Sequence, residues 1–446
     1  NSSLPAYQCS KFIITADKKL QKKGIYVDNS LYVTINVDED RKRIMTFYNN
    51  LDQILLERKV DNDINYDTYY VYDDFGNLRF VLPPAASDTL TAVNVIWDIG
   101  SNQILKDYAY YYQYDGSNNC TLKKLPGCND VEMRYDMSER LIFSKDGEQH
   151  SRSEWTFYFY DVFGRQTVSG IWASSTVPDV TSTVVKTTYS TTGTKLGGYS
   201  VNLTLPTTVK LMTVNYYDNY DFLDISMSAK KDSLIFRDKG YDPQYTSAKG
   251  LTTGTRTYQL NDPSKYSVSA LYYDYRERIV QTRTSNYIGG YDNEYFKYTF
   301  TGKVKERMLV HSATGKNTLV ETYYYNYGTP ATNPAERLLD VKHKISPATS
   351  QTTLAVYTYD DIGRVKIKKM ATETSNYSYN VRSWLTQISG SKFNQTLTYE
   401  SPVNGVTPSN PAYNGNISAM KWKAGDEATE RDRKSTRLNS SHITIS

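Results

Sequence analysis

The chain has 446 residues and a net charge of +4 at neutral pH, too little for this length to leave an electrostatic footprint for nucleic acid. Its mean hydropathy is −0.60, and no apolar run approaches the ~18 residues of a membrane-spanning helix. Tyrosine dominates the aromatics, 42 against 13 Phe and 5 Trp. That bias suits thin sheets, in which a ring packs on one side while its hydroxyl reaches water or backbone.

Residues 1–65 have strand character, and 24–37 predicts a hairpin about Asp28, Asn29 and Ser30. The chain opens at Asn1 with neither Met nor a signal-peptide apolar region, and so reads as a piece of a longer protein or a processed form. Asp61-Asn62-Asp63-Ile64-Asn65 opens like a calcium loop. Tyr66 and Tyr72 occupy the places of its Gly and bidentate Glu, so a polar turn is expected.

From Tyr66 one phrase recurs. Tyr70-Val71-Tyr72-Asp73-Asp74-Phe75-Gly76-Asn77 returns as Tyr158-Phe159-Tyr160-Asp161-Val162-Phe163-Gly164-Arg165. It returns again as Tyr357-Thr358-Tyr359-Asp360-Asp361-Ile362-Gly363-Arg364. The two tyrosines share one face of a strand. Asp hydrogen-bonds the backbone of a turn, and Gly supplies the positive φ of a tight reversal. Each phrase therefore predicts a strand, a turn, and a second strand starting at Leu78, Gln166 or Val365. Such repeats define an architecture before any single site does.

Weaker copies lie between the full ones. Tyr135-Asp136 and Tyr273-Asp274 keep the Arg-aliphatic exit (Arg140-Leu141, Arg278-Ile279) but put Glu139 and Glu277 where Gly belongs. Glu tolerates the left-handed conformation poorly, so turns of another type are expected there. Tyr217-Asp218 puts Asp221 in that place. Fainter echoes are Tyr298 to Val304, Tyr323 to Tyr327 with Arg337-Leu338, and Tyr377-Ser378-Tyr379-Asn380. Pro83-Pro84 interrupts a strand, the Thr-rich stretch 174–209 predicts a decorated hairpin turning at Gly197-Gly198, and 334–344 is the best local helix candidate. Residues 433–446 have no Tyr-Asp phrase and no aromatic, and resemble a translated sequencing-adapter tail or a polar frayed terminus.

The Tyr-Asp phrases resemble the Rhs family, also called YD-repeat proteins, and the Tyr-rich style is similar to the large Rhs proteins of Bacteroidetes. The resemblance implies an all-β fold: a YD-repeat ribbon of hairpins winding as a spiral or solenoid shell segment. It divides the chain into a β-rich segment 1–65, a shell segment 66–431 and a tail 432–446. It further implies a secreted or cell-surface bacterial protein whose shell encloses or presents a C-terminal toxin domain of the same polypeptide, absent from this chain. The family's self-cleaving core element, Asp-Pro followed by a Gly, has no counterpart, because Asp242-Pro243 and Asp262-Pro263 lack the Gly. Its aspartates cannot be carried over to any position.

Nothing in the sequence selects catalytic residues, a cofactor or a metal. His150, His311, His343 and His442 are scattered, and no nucleophile elbow, P-loop, zinc or dinucleotide motif occurs. The residues singled out are structural: Tyr70, Tyr72, Asp73 and Gly76; Tyr158, Tyr160, Asp161, Gly164 and Arg165; Tyr357, Tyr359, Asp360, Gly363 and Arg364. Two other readings stay open. One is a surface adhesin binding glycans through exposed Tyr and Trp (Trp155, Trp172, Trp384, Trp422), against which sheet packing is the commoner use of such rings. The remote one is a glycoside hydrolase. Cys120 and Cys128 flank a short loop, and both a bridged and a reduced pair are compatible with it.

Overall fold

The computed structural model describes residues 7–37, 43–61, 64–190, 195–225, 230–408, 411–425, 427 and 429–434. The chain is all-β, 49% strand against 6% helix, and its large antiparallel sheet is not closed into a barrel. Two compact units form, residues 1–215 with 256–266, and residues 216–255 with 267–446.

In the first unit a meander of antiparallel strands runs in chain order. It begins Tyr32–Val37, Arg43–Tyr48, Ile54–Asp61, Ile64–Tyr72 and Leu78–Leu82. After an insertion it resumes at Tyr110–Tyr114 and continues through Cys120–Lys124, Val131–Tyr135, Leu141–Lys145, Trp155–Tyr160 and Gln166–Trp172 to residues 209–214. The insertion follows Pro83-Pro84, which cannot extend the ladder. It folds into the short helices Pro84–Ser87 and Gln103–Tyr108, whose Ala86 and Leu105 pack with Phe47, Leu56 and Phe80. Strand alternation sorts the aromatics: in Trp155–Tyr160, Trp155, Phe157 and Phe159 are buried, while Tyr158 and Tyr160 on the other face are half-buried. Gly170 lies across from Phe157, where a Cβ would come within 2.9 Å of the ring, so no larger residue fits without movement.

Leu20–Ile25 does not pair with Tyr32–Val37 as the hairpin expected over 24–37 requires. It joins Ser10–Ile14 and Ile96–Trp97 in a separate three-stranded sheet, where its Leu20 is wholly buried. The hairpin expected in 174–209 is there in shorter form, Thr187–Tyr189 against Tyr199–Val201, with Gly197 and Gly198 at positive φ. The expected polar turn at 61–65 includes Asn62 and Asp63, which lie outside the described residues.

In the second unit the meander runs from residues 267–273 through Ile279–Ser285, Tyr291–Tyr298, Val304–His311, Leu319–Asn326 and Asp340–Ile345. It continues through Thr352–Tyr359, Val365–Met370, Glu373–Tyr379, Leu385–Gly390, Phe393–Thr398 and Ala419–Ala424 to Arg431–Lys434. The helix candidate 334–344 is a correction: it ends in the strand Asp340–Ile345, and cross-strand pairing on both sides overrides its weak helical periodicity. The expected boundaries at 65/66 and 431/432 fall inside the strands Ile64–Tyr72 and Arg431–Lys434. Of the tail, residues 435–446 lie outside the described residues. The core thins along this unit: Thr352–Tyr359 buries only Ala355, and Glu373–Tyr379 buries no residue fully. Something other than apolar packing must hold these strands in place.

Candidate functional site

The turn comes first. Asp73 N donates to Asn77 O (2.9 Å), and Gly76 N donates back to Asp73 O (3.0 Å). The Asp73 carboxylate accepts from Phe75 N (3.1 Å) and Asn77 N (2.9 Å), and Gly76 sits at φ 82°. Asp161 and Asp360 repeat the arrangement, with Gly164 at 79° and Gly363 at 94°. At each turn the strand pairing slips by one residue beside the second tyrosine, as a bulge with a left-handed residue requires. The exit strands start at Leu78, Gln166 and Val365, as the spacing predicts.

Glu139 and Glu277 overturn the expectation of a different turn. They adopt φ 59° and 61°, and Asp136 and Asp274 make the same backbone and carboxylate hydrogen bonds as Asp73. Strands pinned on both sides hold the side chain in a region that costs it roughly 1 kcal/mol or more. Four further turns share the geometry with a substitute acceptor or left-handed residue: Asn49 with Asp52, Asp115 with Asn118, Thr299 with Gly302, and Asn380 with Ser383. Asn49 and Asp115 escaped sequence reading, although Tyr48 and Tyr114 precede them as elsewhere. Tyr217-Asp218 is no such turn, because Asp221 starts the short helix Asp221–Ile225.

The second tyrosine of a phrase reaches back to the exit of an earlier turn. Its hydroxyl donates to the carbonyl of that turn's first aliphatic residue: Tyr114 to Leu78 (3.0 Å), Tyr160 to Leu141 (3.1 Å), Tyr298 to Ile279 (2.6 Å). In the same way Tyr327 reaches Val304 (3.1 Å), Tyr359 reaches Leu338 (2.8 Å) and Tyr379 reaches Val365 (2.9 Å). The basic residue beside the accepting carbonyl lies over the same ring: Arg140 on Tyr160 (5.3 Å), Arg278 on Tyr298 (4.4 Å), Arg337 on Tyr359 (5.6 Å) and Arg364 on Tyr379 (4.6 Å). Arg140, Arg278 and Arg364 also hold their own turn's aspartate at 2.6–2.7 Å. Each donates onward to the carbonyl that opens the next turn, at Asp161, Thr299 and Asn380.

One arginine thus ties a turn to its successor through an ion pair, a cation–π contact and a backbone hydrogen bond. Burial, the largest cause, raises the phenol pKa of Tyr160, Tyr298, Tyr359 and Tyr379, which keeps each a neutral donor. At Asp274 burial pushes upward, but the hydrogen bonds and charge of Arg278 prevail and hold the carboxyl below its usual range.

Arg165 likewise holds its own turn's Asp161 (2.7 Å) and lies over the exposed ring of Phe163. Among the described residues no acceptor meets the Tyr72 hydroxyl, and Gln53 joins that turn through Gly76 O (3.3 Å). Tyr70, Tyr158 and Tyr357 share their partners' face and are half-buried. Trp155 and Trp172 face each other across the sheet and are buried, and Trp384 packs on Tyr399, so sheet packing accounts for these three.

The most exposed aromatics, Phe300 (85%), Phe75 (83%) and Phe163 (76%), are turn tips, whereas the exposed Tyr32 lies in a strand. His150 and His343 pair with Glu132 and Glu321, and His311 with Asp292. His442 lies outside the described residues. Among the described residues no three His, Cys, Asp or Glu side chains converge as a metal site. Cys120 and Cys128 are free thiols.

No protein-family model matches the chain, and no curated protein matches it. Solved structures do. A TcdB2-TccC3 crystal structure aligns over 94% of this chain and 22% of its own, at 12% identity and a TM-score of 0.33. The Photorhabdus luminescens Tc holotoxin pore aligns over 94% and 21%, at 12% identity and the same score. The chain therefore spans about a fifth of the chains it resembles.

Proposed function

We propose that this chain is a structural shell segment of a secreted or cell-surface bacterial protein of the Rhs/YD-repeat kind, enclosing or presenting a C-terminal toxin domain. The observation that carries the reading is the interlock. Its aspartate, arginine and tyrosine are engaged with one another and with backbone, so the repeat chemistry is spent on holding successive hairpins together. Strands stitched in this way suit a thin wall that needs little apolar core, as over Glu373–Tyr379, where no residue is fully buried. On this reading the chain performs no catalysis of its own.

The test is protease protection in the full-length polypeptide. The domain following the repeats should resist digestion while the repeats are folded, and become sensitive once the interlock is loosened by combining Arg278→Ala and Arg364→Ala. A downstream domain cut as fast in the intact protein as when expressed alone would refute enclosure.

A further inference from the structure

The strand Tyr32–Val37 ends the meander of the first unit and pairs on one side only, with Arg43–Tyr48. Among the described residues no backbone group meets its other side. Every residue of the strand is exposed. It carries no charge, no proline and no bulge, the devices that keep a free edge from pairing. Other end strands have such a device. Arg431–Lys434 consists of charged residues, Ser10–Ile14 carries the exposed Lys11, and Ile96–Trp97 is only two residues long.

One face of this edge belongs to the core. Val33 and Ile35 lie opposite Phe47 and Met45 in the ladder and share their face. Those partners are 1% and 3% exposed, whereas Val33, Ile35 and Val37 are 36%, 44% and 57% exposed. Beside Val33 and Phe47 opens a cavity of about 110 Å³, walled by Tyr7, Ile25, Val27 and Leu31. The core face is thus covered at Arg43–Tyr48 and bare one strand further out.

The strand is complementary to itself. A two-fold axis through Ile35 sets two copies antiparallel, with Ile35 against Ile35, Val33 against Val37 and Thr34 against Asn36. All the β-branched apolar residues then meet on the core face, and the partner's Val37 comes beside the cavity. Thr34 and Asn36, which can hydrogen-bond each other, meet on the opposite face. An axis through Thr34 would leave Val37 without a partner in the strand. Each copy offers one such edge, so pairing two of them closes the interface. We propose that the chain forms a two-fold dimer by antiparallel pairing of Tyr32–Val37 with the same strand of a second copy. The proposal does not rest on the shell reading and stands if that reading fails.

The experiment is sedimentation velocity of the full chain over a concentration series. A discrete monomer–dimer equilibrium in the micromolar range is expected, because six residues a side bury less than the ~1,200 Å² of a stable interface. Ile35→Lys sets like charges against each other on the axis and should raise Kd roughly tenfold or more. Its circular dichroism should match that of the unaltered chain, since a lysine there can reach water past the open edge. Cross-linking tests the register independently of that variant. In a Cys128→Ser background, which removes the exposed thiol, mild oxidation should join two copies of Ile35→Cys but not two copies of Asn36→Cys. A monomer at every concentration would leave the edge to a strand of another source and overturn the proposal. So would open-ended aggregation, an undiminished dimer in Ile35→Lys, or equal cross-linking by the two cysteine variants.

Discussion

Arg278 places its guanidinium 4.4 Å from the ring centre of Tyr298, whose hydroxyl donates to Ile279 O, the residue directly after that arginine. The Arg-aliphatic exit of one turn and the tyrosine that enters the next are therefore two halves of one joint. A repeat of this kind transmits order from neighbour to neighbour, and its strength can be measured joint by joint.

Tyr298→Phe keeps the ring under Arg278 and removes only the hydrogen bond to Ile279, so a loss of about 1 kcal/mol is expected. Tyr298→Leu should lose the cation–π contact as well, about 0.5–1 kcal/mol more. Hydrogen exchange in Ile279–Ser285 and Tyr291–Tyr298 is the direct readout. Equal protection in the two variants would mean that the arginine contributes nothing through the ring.

Acid should loosen the same joint. The folded chain holds the Asp274 carboxyl below its unfolded value, so it binds a proton less readily than the unfolded chain does. The stabilisation is whole above the unfolded value, near pH 4, and is lost as pH falls through the lower folded one. Urea midpoints should drop over this acidic window. Asp274→Asn keeps a side-chain acceptor, as Asn380 does in its own turn, and should flatten the drop.

Two repeat glycines should differ although both sit at positive φ. A Cβ on Gly164 meets nothing within 4 Å, whereas one on Gly363 comes within 2.6 Å of Arg337 Cζ, the arginine that covers Tyr359. Gly164→Ala should cost only the conformational strain, about 1 kcal/mol. Gly363→Ala should cost more, because Arg337 must also leave the Tyr359 ring. Chemical denaturation of the pair decides it, and equal losses would refute the close-approach argument.

Thiol reactivity should divide the cysteines. Burial pushes the Cys9 thiol up to about 12, so little thiolate forms at mildly alkaline pH, and the group is also inaccessible. Cys128 is exposed. A disulfide-exchange reagent should titrate Cys128 promptly and Cys9 only on unfolding, followed by absorbance with and without urea.

By itself the sequence determined what is local. The turns at Asp73, Asp161 and Asp360 and the strands leaving them at Leu78, Gln166 and Val365 follow from an aspartate and a glycine acting within five residues, where no distant partner is needed. Asn49 and Asp115 carry the same local signal, a tyrosine directly before each, although sequence reading missed them. Tertiary structure alone decided what depends on partners further away. Glu139 and Glu277 take a left-handed conformation because paired strands hold both ends of their turns, a constraint that side-chain preference does not carry. Leu20–Ile25 leaves the expected hairpin because burying Leu20 in another sheet outweighs the adjacent turn. The tyrosine hydroxyls find carbonyls 14 to 36 residues away, a spacing that varies with every insertion, so only the folded register brings each ring to its arginine.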